Sequence, residues 1–102
     1  MLVHDVYLTL KEGGLEACAR LVANARALLA HHEGILFFAA GTRATEGFER
    51  PVNDREFDVA LHIVFADRAA HDAYQASPDH RRFVDEGSPN WSGVRVFDSD
   101  CG

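Results

Sequence analysis

Three polar residues that can move protons lie where the sequence otherwise predicts an apolar interior. His4 falls on the apolar side of an alternating N-terminal segment, together with Val6. Tyr74 lies on the inner stripe of a predicted helix, and His80 follows in the turn after Pro78. A tyrosine and two imidazoles around one pocket can transfer a proton to or from an acidic carbon or a hydroxyl. We therefore take His4, Tyr74 and His80 as the candidate catalytic residues.

The same residues also have a structural interpretation, which spacing alone favours. A polar ring among apolar side chains needs a hydrogen-bond partner, so His4 can be a satisfied core histidine. His80 can cap or brace the turn that follows Pro78. Small residues around Tyr74 nevertheless predict free space beside its ring. They are Ala69, Ala70, Ala73 and Ala76.

The other four histidines do not follow a known metal-binding pattern. His31 and His32 are sequential, so on a helix their side chains point about 100° apart and do not face one ion. We expect both at a solvated helix end, His71 on the exposed side of its helix, and His62 on the open face of a sheet. The chain has no His-Glu-x-x-His motif and no cysteine pair at zinc spacing. We therefore expect no metal site and no cofactor.

Four segments have the pattern of strands. Residues 2–10 and 57–65 alternate between apolar and polar positions, 35–40 is a short apolar run between two glycines, and 91–97 is the last strand. Residues 41–56 form the longest predicted loop. Five residues of the third strand are expected on its inner face: Phe57, Val59, Leu61, Ile63 and Phe65.

Helical patterns occupy the intervening segments. Apolar residues at helical spacing, with many alanines, predict a helix over 15–32, and Gly34 is placed to terminate it in a left-handed conformation. A second helix is predicted over 68–77. Pro78 ends it and begins a further short helical turn over 78–84.

The resulting order is β-α-β-β-α-β, an α+β ferredoxin-like fold with both helices on one face of a four-stranded antiparallel sheet. The other face stays apolar, because 35–40 is apolar on both sides and Tyr7, Ala60, Val64 and Phe97 add to it. A contiguous apolar patch marks an interface. We expect a two-fold homodimer through this open face, the alternative being a monomer with an apolar sheet surface.

Composition limits the classes of function. The chain has 102 residues, is 47% hydrophobic, and carries a formal net charge of −6. This length predicts a single domain over 1–102, and the negative charge argues against nucleic-acid binding. No apolar run has the length of a membrane span, and the N-terminus lacks the pattern of a signal peptide. Cys18 and Cys101 are expected to be free thiols in a reducing cytoplasm.

Two segments resemble the signature of the stress-responsive dimeric A/B barrel (Dabb) domain. That signature is an apolar strand ending in Phe, a helix with a Tyr, and a following Pro-x-His, which match 57–65 and 73–80. Residues 3–11 are similar to the opening strand of the family, with its early His. The resemblance covers about residues 2–98. It implies a ferredoxin-like protomer and a homodimer whose two sheets form a dimeric α+β barrel.

More distantly, the chain resembles olivetolic acid cyclase, a plant polyketide cyclase of this family that uses His and Tyr residues in a pocket between sheet and helices. His4, Tyr74 and His80 match its positions. Val59 stands where that enzyme has a further pocket histidine. Many other members of the family have no assigned activity.

Three hypotheses follow. The chain is a homodimer that binds a small apolar or aromatic molecule, with His4, Tyr74 and His80 as polar anchors. Alternatively, it is a cofactor-independent cyclase or lyase, in which His80 is the general base, Tyr74 orients it or stabilises an enolate oxygen, and His4 assists. It can also be a structural stress protein without catalysis. The expected apolar walls of the pocket are Val6, Leu8, Val59, Leu61, Phe83 and Trp91.

Overall fold

The computed structural model describes all 102 residues and contains one four-stranded sheet. In chain order the strands are β1 (Leu2–Leu10), β2 (Ile35–Thr42), β3 (Val59–Phe65) and β4 (Trp91–Asp100). They lie in the order β2-β3-β1-β4, and each neighbouring pair is antiparallel. The first and last strands are therefore neighbours, although the chain separates them widely.

Three helices complete the fold: α1 (Leu15–Leu29), α2 (Arg68–Gln75) and α3 (Pro78–Gly87). The helical segment between β3 and β4 is divided because Ser77 and Pro78 start a new helix, with Ser77 Oγ accepting from the His80 amide at 3.1 Å. A 3₁₀ turn, Ser88–Asn90, leads into β4. The predicted ferredoxin-like order is confirmed, and α3 is longer than the predicted 78–84.

The first helix ends earlier than its sequence pattern predicts. It stops at Leu29 rather than at residue 32, so His31 and His32 lie in the connection to β2. Gly34 has a φ of +88° but lies in that connection, beyond Ala30, which caps the helix. A side chain at this position would clash, because its Cβ would lie 2.4 Å from the Cβ of Ala70. Gly34 thus permits close contact between the connection and α2.

Strand boundaries also differ from the prediction. The alternation of β3 breaks before Val59: the Phe57 ring packs on Tyr7 of the open face, with centroids 5.0 Å apart, instead of facing the helices. Asp58 instead accepts a hydrogen bond from the Leu10 amide at 2.8 Å. At the other end of the chain, β4 continues three residues beyond the predicted 91–97, because it pairs along the whole length of β1.

The core lies between the sheet and the helices. Leu8, Leu29 and Leu61 are each about 1% exposed, and full burial of such a side chain contributes roughly 1.5–3 kcal/mol. Helix α1 supplies the largest share of the helical side of this core. Its buried residues are Cys18, Leu21, Val22, Ala25, Leu28 and Leu29.

Strand β4 is incompletely covered on its helix-facing side. Val94 and Val96 pair with inward-facing residues of β1, yet they remain 46% and 48% exposed. By contrast, the inward-facing residues of β3 are almost fully buried. This difference leaves a crevice between β4 and the helices α2 and α3.

The opposite, open face of the sheet carries no helix. Phe37 and Phe97 lie on it and are 57% and 51% exposed, and the Tyr7 ring lies 5.9 Å from Phe97. An ion pair also lies there, because His62 Nδ1 is 2.7 Å from Asp5 Oδ1. The predicted apolar open face, with His62 on it, is confirmed.

No helix has the length and apolar character needed to cross a membrane. Both cysteines are free thiols, as expected. Cys18 is buried and Cys101 is exposed.

Candidate functional site

A cavity of about 430 Å³ occupies the crevice between the sheet and the helices α2 and α3. Its volume falls within the roughly 300–1,000 Å³ typical of small-molecule sites. Ten of its fifteen lining residues are hydrophobic. The lining residues are His4, Val6, Leu8, Leu29, Leu61, His71, Tyr74, Gln75, His80, Phe83, Val84, Trp91, Val94, Val96 and Asp98.

A larger cavity of about 630 Å³ lies between α1 and the start of β4. Its only ionisable side chains are Arg20 and Glu86, and it has no histidine, tyrosine or cysteine. The residues able to transfer protons are concentrated in the smaller cavity. We therefore place the candidate site there.

The three candidate catalytic residues line this one cavity. The Tyr74 ring lies 5.0 Å from the His80 ring and 6.1 Å from the His4 ring, measured between centroids, with the rings in edge contact. They come from three different elements: β1 supplies His4, α2 supplies Tyr74, and α3 supplies His80. Because Ser77 and Pro78 divide α2 from α3, the His80 side chain is brought back toward Tyr74.

Hydrogen bonding separates the roles of these residues. His4 is 4% exposed, and its Nδ1 lies 2.5 Å from Asp98 Oδ1, so it has the partner that a core histidine requires. His80 engages Ser77 through its backbone amide, and its imidazole makes no hydrogen bond to the protein. The Tyr74 hydroxyl is likewise unengaged, although the residue is only 2% exposed. Tyr74 and His80 therefore present two free polar groups.

Five of the six predicted apolar walls line the cavity. Val59 does not: it is the first residue of β3 and makes no part of the cavity surface. Leu61, two residues further along the same face, does line it. The predicted walls that line the cavity are Val6, Leu8, Leu61, Phe83 and Trp91.

The space beside Tyr74 does not come from the alanines of α2. Ala69, Ala73 and Ala76 are exposed to solvent, and Ala70 packs against the core beside Gly34. The cavity exists instead because β4 lacks a covering helix. The number of alanines thus indicated free space correctly but for the wrong physical reason.

The sequence pattern placed one histidine wrongly and a second only partly correctly. His71 is not on the exposed side of α2: its side chain is 14% exposed, lines the cavity, and lies 5.0 Å from the His4 ring. His71 precedes Tyr74 by three residues, and this spacing puts both on one helix face. His32 does lie just beyond the end of α1, with its Nε2 2.9 Å from the Leu28 carbonyl oxygen, but it is only partly exposed, and its ring centroid lies 5.3 Å from that of Tyr74.

The sequence pattern also missed Asp98, which lies in the segment predicted to be a tail. The register of β1 with β4 puts Asp98 directly opposite His4. This placement depends on pairing between the two ends of the chain, which no local pattern reveals. The antiparallel register of β1 with β4 would have been the signal.

Burial sets the protonation of the two free groups. It raises the pKa of the Tyr74 hydroxyl well above its ordinary value, so the hydroxyl stays protonated and can donate. Burial lowers the pKa of His80 below its usual 6.5, and positive charge on His4, His32 and His71 lowers it further. At neutral pH the site therefore combines a neutral imidazole, which accepts a proton, with a phenolic donor.

Solved structures similar to this one share its fold. A Dabb family protein with a ferredoxin-like fold from Mesorhizobium loti is 24% identical, covers 98% of this chain and 95% of its own, and has a TM-score of 0.78. A dimeric ferredoxin-like protein of unknown function from Jannaschia is 25% identical, with 98% of each chain covered and a TM-score of 0.76. The hydroxynitrile lyase of Passiflora edulis is 18% identical, covers 99% of this chain and 93% of its own, and has a TM-score of 0.79.

No curated protein sequence matches this chain. The stress responsive A/B barrel domain (Dabb) matches residues 2–101, which is nearly the whole sequence. This match agrees with the β-α-β-β-α-β order and with the Mesorhizobium relative. The chain belongs to the stress-responsive A/B barrel domain family.

Proposed function

We propose that this chain is a homodimeric protein that binds a small apolar or aromatic molecule in the cavity between sheet and helices. The observation that carries the proposal is a largely apolar cavity in which the Tyr74 hydroxyl and the His80 imidazole have no hydrogen-bond partner in the protein. A ligand oxygen that engages both groups would form two hydrogen bonds in the cavity, each contributing roughly 0.5–1.5 kcal/mol.

The charges at the site favour an uncharged oxygen function on the ligand. Tyr74 donates a hydrogen bond because its pKa is raised, and His80 accepts one because its pKa is lowered. A phenol or alcohol can accept from the tyrosine and donate to the imidazole at the same time. Apolar walls such as Phe83 and Trp91, whose rings lie 5.7 Å apart, then suit an aromatic body.

The homodimer is proposed through the open sheet face. Phe37 and Phe97 on this face are more than half exposed in the single chain, which is unfavourable for a contiguous apolar surface. Structural relatives from Thermobifida fusca and Jannaschia are described as dimeric ferredoxin-like proteins. Pairing of two such faces would build the dimeric α+β barrel.

The experiment is a thermal-shift and calorimetric titration with phenol, benzyl alcohol and acetophenone. We expect binding that raises the midpoint of unfolding with ligand concentration, that weakens in Tyr74→Phe and His80→Gln, and that is retained in His62→Gln. His62 is the matched control because it lies on the other sheet face. Absence of binding by all three compounds would favour the structural stress protein, and equal loss in the control would place the ligand elsewhere.

A second candidate function is a cofactor-independent lyase or cyclase. It is favoured by the edge contact between Tyr74 and His80 at 5.0 Å, which places a base beside a donor. With a polyketone, His80 would remove a proton from the carbon next to a carbonyl, Tyr74 would donate to the developing enolate oxygen, and His4 would assist. With a hydroxynitrile, His80 would remove the hydroxyl proton, so that the carbonyl forms as the bond to the nitrile carbon breaks and cyanide leaves. The fold likeness to a hydroxynitrile lyase agrees with chemistry of this class.

Turnover separates this candidate from simple binding. A β-polyketone and a hydroxynitrile serve as probe substrates, and product formation should fall at least a hundredfold in His80→Gln, the scale of general-base catalysis. The Tyr74→Phe variant should show a smaller fall in product formation than His80→Gln. If neither probe is converted while phenol still binds, the binding function stands and the enzymatic one is withdrawn.

We propose a single domain over 1–102 and a cytoplasmic location, which the free thiols of Cys18 and Cys101 support. A dimer would carry a formal charge of about −12, twice the −6 of one chain, which disfavours nucleic acid as a partner.

A further inference from the structure

We propose that His4, His71 and Asp98 bind one divalent transition-metal ion at the wall of the cavity, where the sequence pattern indicated no metal. The three residues come from β1, α2 and β4, and all three line the cavity. One ligand atom of each lies within 4.8 Å of the corresponding atoms of the other two. No other group of three such residues is brought together in the chain.

The distances are close to those of a metal site. Nitrogen and oxygen ligands about 2.0–2.2 Å from a tetrahedral ion lie roughly 3.3–3.6 Å from each other. Because the ligand atoms lie within 4.8 Å of one another, the farthest pair needs to approach by up to about 1.5 Å. Asp98 can supply this movement, because it lies on an edge strand and its side chain is 44% exposed. His4, by contrast, is held in place by its burial.

The hydrogen bonds around the imidazoles also fit ion binding. His71 Nδ1 lies 2.9 Å from Asp72 Oδ1, and a carboxylate on one ring nitrogen orients a histidine ligand and leaves the other nitrogen for the ion. That other nitrogen of His71 has no partner in the protein. His4 Nδ1 and Asp98 Oδ1 already face each other at 2.5 Å, and the ion would replace this direct contact.

The ligand types select the kind of ion. Two imidazoles and one carboxylate suit Zn²⁺, Co²⁺ or Fe²⁺, whereas Mg²⁺ and Ca²⁺ prefer oxygen ligands. Three protein ligands leave a coordination position open to water or to a molecule in the cavity. The inference does not depend on the proposed organic ligand.

The chain contains a matched control on the other face of the sheet. There His62 and Asp5 form a histidine–aspartate pair at 2.7 Å, but within the same chain no third metal-ligating residue lies within reach. If a histidine–aspartate pair alone captured metal, both pairs would do so. If the third residue decides, only the cavity pair binds.

Cobalt(II) is the direct probe, because its visible absorption reports the ligand set. The purified protein is freed of metal by a chelator and titrated with Co²⁺, and Zn²⁺ is then added in competition. We expect one Co²⁺ per chain, displacement by Zn²⁺, and at least a tenfold loss of affinity in His71→Gln and in Asp98→Asn. The His62→Gln control should bind as the unaltered protein does.

Both test variants replace side chains outside the deep core, and circular dichroism checks that each is folded. Two results would overturn the proposal: no Co²⁺ or Zn²⁺ binding to the folded protein, or unchanged affinity in both variants. Equal loss in His62→Gln would also overturn it, by assigning the ion to surface histidines. Phenol binding, measured without metal, tests the proposed function separately.

Discussion

Replacement of Phe97 by aspartate should break the proposed dimer without unfolding the protomer. Phe97 is 51% exposed in the single chain and lies on the open face, directly opposite Asp5 in the strand register. Phe97→Asp therefore places two carboxylates opposite each other, so neither can neutralise the other. In a two-fold dimer the same change occurs twice within the interface.

The magnitude follows from the burial of charge. Each unpaired buried charge costs several kcal/mol, so two copies cost about 6 kcal/mol if each costs about 3. At 1.4 kcal/mol per tenfold change, the dissociation constant of the dimer should rise by roughly 10⁴. The effect on an isolated protomer should stay near 1 kcal/mol, the scale of a like-charge cross-strand pair.

The neighbouring residue provides the control. Val96 is 48% exposed, almost the same as Phe97, but it lies on the helix-facing side of β4. Light scattering coupled to size exclusion, over a range of concentrations, should find monomers for Phe97→Asp and dimers for Val96→Asp. A dimeric Phe97→Asp variant, or equal dissociation of both variants, would refute the open-face interface.

Three further predictions concern stability. Gly34→Ala should lower the free energy of unfolding by about 1–3 kcal/mol, because Gly34 has a φ of +88° and an added Cβ would lie 2.4 Å from the Cβ of Ala70. Gly14→Ala, where the added Cβ meets open space, should change this free energy little. Urea unfolding measures both variants, and equal effects would contradict the prediction. Tyr74→Phe should change the free energy of unfolding by no more than about 0.5 kcal/mol, since the hydroxyl has no partner in the protein. Tyr74→Ala should lower it by about 3–5 kcal/mol, because the buried ring is lost. A large loss of stability in Tyr74→Phe would show that the hydroxyl has a structural role. The pKa of His80 in the folded chain lies below its unfolded value of 6.5, so the unfolded chain binds more protons. The free energy of unfolding should therefore fall as the pH drops below 6.5. His80→Gln should reduce this fall, and an unchanged dependence on pH in the variant would contradict the lowered pKa.

Local patterns in the sequence were sufficient to predict the order of elements. Alternation located β1 and the centre of β3, and the Ser77–Pro78 step located the start of α3. These features depend on neighbours in the chain. They are therefore readable without knowledge of the tertiary structure.

The candidate site was predictable only in part, because half of it depends on long-range packing. His4, Tyr74 and His80 were found from apolar surroundings and helical spacing. Asp98 was missed because its position is set by pairing between chain ends. His71 was missed although its spacing to Tyr74 gave the correct helix face. Val59 was misplaced because it lies at the first residue of β3 and is not among the residues that line the cavity.

The most direct test of the central claim is a nuclear magnetic resonance titration of the ¹⁵N-labelled protein with phenol, followed through the histidine side-chain nitrogens. We expect saturable shifts of the His80 imidazole, weaker shifts at His4 and His71, and none at His62 on the opposite face. Saturable shifts at His62 with none at His80 would contradict this claim, as would the absence of any shift at saturating phenol.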